Sequence, residues 1–172
     1  MIVKLITSLF RWGMLMAFQI TIARHLHIGS WLLFFPYVLF ILQLPFETSR
    51  FTVITLAFLT GYTVDVFYHT NGIHALACIN LALARSYYIN KVALREGLSQ
   101  IYRPHIKEMG IVWFLQYAFL LILLHHFLIF TIEQFSFDRF WVLWFRIILS
   151  TVSTVSLIVF LQRIFTKSKS DS

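Results

Sequence analysis

The chain has 172 residues, of which 59% are hydrophobic, 18% aromatic and only 12% charged; soluble domains carry about 25% charged residues. Together with a mean hydropathy of +0.80, this excludes an ordinary soluble domain and points to an all-α integral membrane protein. The net charge of +7 would suggest nucleic acid in a soluble protein, but the basic residues cluster at the ends of apolar runs and read as topology signals.

A bilayer core about 30 Å thick takes about 20 apolar residues per helix, so the length holds six spans and little else. Apolar runs predict helices at 3–23, 30–44, 51–68, 72–89, 110–131 and 140–161, packed as a single bundle over 1–165 with a disordered cytoplasmic tail at 166–172. The first helix is expected to be retained, because no cleavable signal pattern precedes it. The second is the shortest, and Pro36 predicts a kink near Phe35. The long connection 90–109 is placed in the cytoplasm, with Leu94, Leu98, Ile101 and Ile106 spaced for either a short surface helix ended by Pro104 or a solvated basic loop.

With both termini cytoplasmic, Lys4, Arg50, Lys91, Arg95, Arg103, Lys107, Arg163, Lys167 and Lys169 lie inside. Only Arg24 and Arg139 lie outside, and Arg11, Arg85 and Arg146 are intramembrane. That asymmetry follows the positive-inside rule. Trp12, Trp31, Trp113, Trp141, Trp144, Tyr68 and Tyr102 fall mostly near predicted helix ends, where they are expected to act as interfacial anchors.

Asp65 is the most informative residue. A carboxylate at the centre of a membrane helix costs roughly 2.5–3.5 kcal/mol on insertion scales, so it needs a partner, water or a purpose. Gly61, Asp65 and His69 share one helical stripe, and Ala75, Cys78, Ala82 and Arg85 share another, so the third and fourth helices are expected to pack closely through small residues. Two partners for Asp65 remain open: the His69 to His74 turn, or Arg146, which lies at a similar depth, about 10 Å inside its helix against about 7 Å for Asp65. Arg85 and Arg11 are expected to snorkel toward the inner surface, with Glu47 in reach of either.

Seven histidines raise a metal or haem reading, but none has strong ligand spacing, and adjacent His125 and His126 point about 100° apart on a helix. Asp65, His69 and His74 could serve proton transfer, although a structural role fits them better. Lone Cys78 excludes an intramolecular disulfide and a multi-cysteine cage. With no phosphate-cradling loop and no serine nucleophile motif, neither a cofactor nor enzymatic activity is expected.

The stretch 59–85, with Gly61 and Asp65 four apart, the turn Gly72-Ile73-His74-Ala75 and a helix reaching Arg85, resembles the family of the rod shape-determining protein MreD. Residues 44–50 are similar to the loop that precedes this helix in the family. Ser49 and Ser86 stand where the family commonly has proline. The resemblance implies a non-enzymatic scaffold in the bacterial inner membrane. Such a scaffold binds MreC and links the MreB cytoskeleton to the RodA polymerase and a penicillin-binding transpeptidase during cell elongation. The family is also likened to the substrate-binding subunits of energy-coupling factor transporters, which makes a small-molecule carrier the alternative.

Overall fold

A computed structural model describes residues 2–26, 31–96, 103–135 and 139–167. Helix α1 (Ile2–Phe18) runs into a π-helical turn, Gln19–Ala23, and is followed by α2 (Val38–Leu42), α3 (Arg50–Tyr68) and α4 (Ile73–Glu96). A single turn, α5 (Ile106–Met109), then leads to α6 (Ile111–Gln134) and α7 (Phe140–Lys167). The described residues contain helices and no strand. Helices α3, α6 and the Phe140–Arg163 part of α7 are long and apolar enough to cross a membrane.

The helix ends follow local chemistry. Ser49 caps α3 by accepting the Thr52 backbone N–H at 3.2 Å, filling one of the donors that a helix start leaves open. At its other end His69 turns left-handed at φ 58°, so its side chain leaves the Gly61 and Asp65 stripe and is exposed. Gly72 at φ +89° then reverses the chain into α4, a conformation that suits glycine because it has no Cβ.

The second predicted helix departs most from expectation. Instead of a kinked helix over 30–44, residues 32–35 are non-helical and only Val38–Leu42 is α-helical; Ser30 lies outside the described residues. Pro36 lacks an N–H and disfavours helical geometry at Phe35, so the helix can form only beyond it. The freed backbone is satisfied from three directions. Gln19 Nε2 donates to the Phe34 carbonyl at 3.2 Å, Ser150 Oγ accepts from Leu33 N at 3.2 Å, and Thr154 Oγ1 accepts from Phe35 N at 3.3 Å. Irregular backbone at membrane depth is tolerated when protein surrounds it, and Phe35, Tyr37, Val38, Ile41 and Leu42 are all buried in the centre of the bundle.

Other boundaries shift less. Helix α4 extends to Glu96 and so takes in Leu94, while Ile106 opens α5; Leu98 and Ile101 lie outside the described residues. Thr166 and Lys167 belong to α7 rather than to a disordered tail, and 168–172 lie outside the described residues. Trp31 and Trp141 are exposed, as anchors would be, but Trp12 donates to Thr60 Oγ1 at 3.0 Å and Trp113 stacks on Tyr117 at 5.0 Å. Tyr102 lies outside the described residues.

His105 caps α5 by accepting the Lys107 N–H on Nδ1 at 3.1 Å. Burial holds its imidazole below the usual value; Glu108 opposes this, and Arg11 and Lys107 reinforce it. A depressed histidine makes the unfolded chain the stronger proton binder, so its contribution is complete above about pH 6.5 and is lost as pH falls from there toward the folded value. Acidification from pH 7.5 should therefore lower the thermal midpoint more for the wild type than for His105→Asn, which keeps a capping oxygen and does not titrate. Parallel melting curves in detergent would contradict this assignment.

Candidate functional site

The α3–α4 hairpin brings Gly61, Asp65, Gly72, His74 and Ala75 together. Asp65 Oδ1 accepts from the Thr70 hydroxyl at 2.6 Å and from the His74 backbone N–H at 3.0 Å, and Oδ2 accepts from the Ala75 N–H at 2.8 Å. The last two donors belong to the first turn of α4, where backbone N–H groups have no helical partner and the helix dipole favours a negative charge. Asp65 therefore acts as the N-terminal cap of the helix that follows its own. The Asp65 carbonyl also accepts from Thr70 N at 3.2 Å and from His69 N, so a single residue ties the end of α3 to the start of α4.

Close approach is what lets the carboxylate reach. A Cβ built on Gly61 would stand 2.5 Å from the His74 carbonyl oxygen and 2.6 Å from Ala75 Cα. Ala75, Cys78, Ala82 and Arg85 are all buried, but only Ala75 is seen against Gly61; Cys78 lies beside Tyr37 and His125, and Arg85 turns to the carbonyls of 42–45.

The open choice for Asp65 thus resolves to the local turn, and the Asp65 to Arg146 pairing is corrected. Arg146 instead meets Glu133 at 3.3 Å and lies 4.2 Å from the centroid of the Phe130 ring. Matching depth along two helices was a necessary condition for pairing, but it carried no information on which helix faces which.

Arg85 corrects a second expectation, because it is buried and does not snorkel. Its Nη2 donates to the carbonyls of Leu44 and Pro45, and Nε donates to that of Leu42 at 3.5 Å. Tyr117 donates to the same Leu42 oxygen at 2.8 Å. The guanidinium therefore serves the last carbonyl of α2 and two carbonyls of the chain just beyond it, and sets a positive charge at that helix's negative pole. Arg85→Met should cost about 2–3 kcal/mol, since the buried acceptors lose their donors, read as a lower midpoint in chemical unfolding from mixed micelles. Retention of wild-type stability would contradict this role. Arg11, also expected to snorkel toward the inner surface with Glu47 in reach, binds Gln43 Oε1.

Sequence reasoning missed the buried polar cluster beside this hairpin. The Tyr37 hydroxyl lies 3.0 Å from His74 Nδ1 and 2.9 Å from His125 Nε2, with Cys78 Sγ at 3.9 Å. Phe35 packs edge-on to His74 at 5.2 Å, and His126 Nε2 meets Thr154 Oγ1 at 3.4 Å. A hydroxyl carries one hydrogen, so Tyr37 donates to one imidazole and accepts from the other, which fixes opposite tautomeric roles for the two rings. His125 Nδ1 is buried and has no hydrogen-bond partner among the described residues. The available signal was a tyrosine beside Pro36 and a hydroxyl-bearing face at Ser150, Thr151 and Thr154. Among the described residues no three His, Cys, Asp or Glu side chains gather as a metal set.

Tyr37→Phe removes the shared partner of both imidazoles. It should lower stability by about 2 kcal/mol while leaving helix content by circular dichroism unchanged; an unshifted thermal midpoint would show that the bridge contributes nothing. No protein-family model, curated protein or solved structure matches the chain.

Proposed function

We propose that the chain is a non-enzymatic membrane scaffold of the MreD kind, with six membrane-embedded segments, both termini cytoplasmic and a place in the bacterial inner membrane. In this reading it binds MreC and, through it, belongs with MreB, RodA and a penicillin-binding transpeptidase in the elongation assembly. The observation that carries the proposal is the convergence of the family-like residues. Gly61, Asp65, Gly72, His74 and Ala75 form one latched hairpin, and Arg85 locks the interrupted second segment from the far end of α4. A rigid core of this kind leaves the outer faces of the helices for partner spans, which pack in lipid by shape and hydrogen bonding. Single cysteines placed along α3, α4, α6 and α7 should trap one single-span partner from native membranes, on one helix face. Labelling without a defined partner would overturn the scaffold reading.

The interrupted segment favours a second reading, a substrate-binding subunit of an energy-coupling factor transporter, because carriers often build ligand sites from broken helices. The Tyr37, His74 and His125 cluster would then be the polar part of that site. Retention of a vitamin-sized compound on purification, lost in Tyr37→Phe, would favour it over the scaffold.

A further inference from the structure

One side of α4 is buried, with His74, Ala75, Cys78, Ala82 and Arg85 turned into the bundle. The opposite side is open. Leu76 is 48% exposed and Tyr87 62%, and Ile73, Asn80 and Leu83 are half-buried on the same face. Positions 73, 76, 80, 83 and 87 alternate steps of three and four, the spacing of a single helical seam.

Asn80 is the residue that a lipid-facing seam does not explain. It stands seven positions past Ile73, about 10 Å along α4. Helix α3 lies just across the turn and has 19 residues, so it is about 28 Å long. The amide therefore sits in the middle third of the α3 span. Its Nδ2 gives one hydrogen to the Leu76 carbonyl at 2.9 Å; the second hydrogen and Oδ1 meet no partner among the described residues. Hydrocarbon offers neither donor nor acceptor, and an amide on such a face is satisfied by another helix.

The chemistry of the seam selects the occupant. A carboxamide carries a donor and an acceptor on one group, so two Asn80 side chains related by a two-fold axis exchange both bonds. Copies inserted with the same topology bring their α4 helices together parallel and in register. In heptad terms Ile73, Asn80 and Tyr87 take the a positions, and Leu76 and Leu83 take d. Branched residues at a, leucine at d and one buried asparagine at a favour two parallel strands in a fixed register. Small Ala84 and Ser86 flank the seam, so backbones can approach. No like charges oppose one another there: Arg85 is buried in its own bundle, and Lys91 lies over its own Tyr87 ring at 4.6 Å.

We propose that the Leu76, Asn80, Leu83 and Tyr87 face of α4 is a docking surface for a second copy of this chain, registered by an Asn80 to Asn80 amide pair. The proposal rests on reading α4 as membrane-embedded, and it leaves the outer faces of α6 and α7 to unlike partners.

The test combines sedimentation equilibrium of the full chain in neutrally buoyant detergent with cysteine crosslinking in phosphatidylcholine vesicles. The wild type should reach a monomer–dimer equilibrium. Asn80→Leu should weaken it about tenfold through the loss of two interhelical hydrogen bonds, while Asn80→Gln, which keeps donor and acceptor, should restore most of it. Both variants should keep the wild-type thermal midpoint, because the side chain supports nothing inside its own bundle. In a Cys78→Ala background, Leu76→Cys and Leu83→Cys should form disulfide-linked dimers under mild oxidation, and Val112→Cys on the exposed face of α6 should not. A monomer at every concentration, an unchanged dimer in folded Asn80→Leu, or equal crosslinking from Val112→Cys would overturn the interface. Capture of a single-span protein at Leu76→Cys in native membranes, without self-linkage, would overturn the choice of a second copy and leave the scaffold reading standing. A chain that fails to enter vesicles would remove the membrane reading and this surface together.

Discussion

Asp65→Leu is expected to separate α3 from α4 at their shared end and to cost about 4 kcal/mol. The substitution removes the acceptor for two backbone N–H groups and one hydroxyl, and each buried donor left unmet costs about 1–3 kcal/mol. Water is not at hand to replace it, because His74 and Ala75 are both buried. Asp65→Asn should be milder, about 2 kcal/mol, since one amide oxygen still accepts while the NH2 group faces donors. The measurement is chemical unfolding in mixed micelles, together with hydrogen exchange at the amides of 74 and 75, which should become the fastest-opening in α4. Arg146→Leu in the same assay should leave those amides as protected as in the wild type, because Arg146 bonds Glu133. Equal loss of protection in both variants would revive the rejected long-range pair and count against the cap.

Gly61→Ala should have the second large effect, about 3 kcal/mol or more. The added methyl meets backbone atoms of His74 and Ala75 at 2.5–2.7 Å, and backbone cannot move aside as a flexible side chain can, so the cost sits at or beyond the upper end for overpacking. Forcing the seam open would also draw the Asp65 carboxylate away from its donors. Gly72→Ala supplies the contrast. Nothing lies within 4 Å of a Cβ there, and the cost is that of holding alanine at φ +89°, about 1–2 kcal/mol. In thermal unfolding the Gly61 variant should melt well below the Gly72 variant. The reverse order would mean that the turn, rather than the seam, holds the hairpin.

Both effects were partly legible beforehand. Gly61 and Asp65 four residues apart, followed by a turn and a run of small residues, are local features, and a helix places them on one face whatever surrounds it. The third, fifth and sixth predicted helices likewise have their counterparts in α3, α6 and α7 within a few residues, because an apolar run of span length has few other ways to satisfy its backbone. Residues 30–44 show where that logic fails. Hydropathy scores them as a helix, yet residues 33–35 are bonded by Gln19, Ser150 and Thr154, the last two more than a hundred positions away, where they leave no trace in a local window.

What the amino-acid order determined alone is therefore the membrane class, most of the helices, the tight turn with positive φ at Gly72 and the close seam at Gly61, since each depends on contacts within one helix or between neighbours joined by a short turn. The tertiary structure decided the rest: the partner of Arg146, the burial of Arg85 on carbonyls at and just beyond the end of α2, and the meeting of Tyr37, His74 and His125. Those contacts require knowing how helices rotate against one another. In an apolar medium that rotation is set by side-chain shape and by the demand that every buried polar group find a partner, conditions that the whole bundle meets at once and no single segment records.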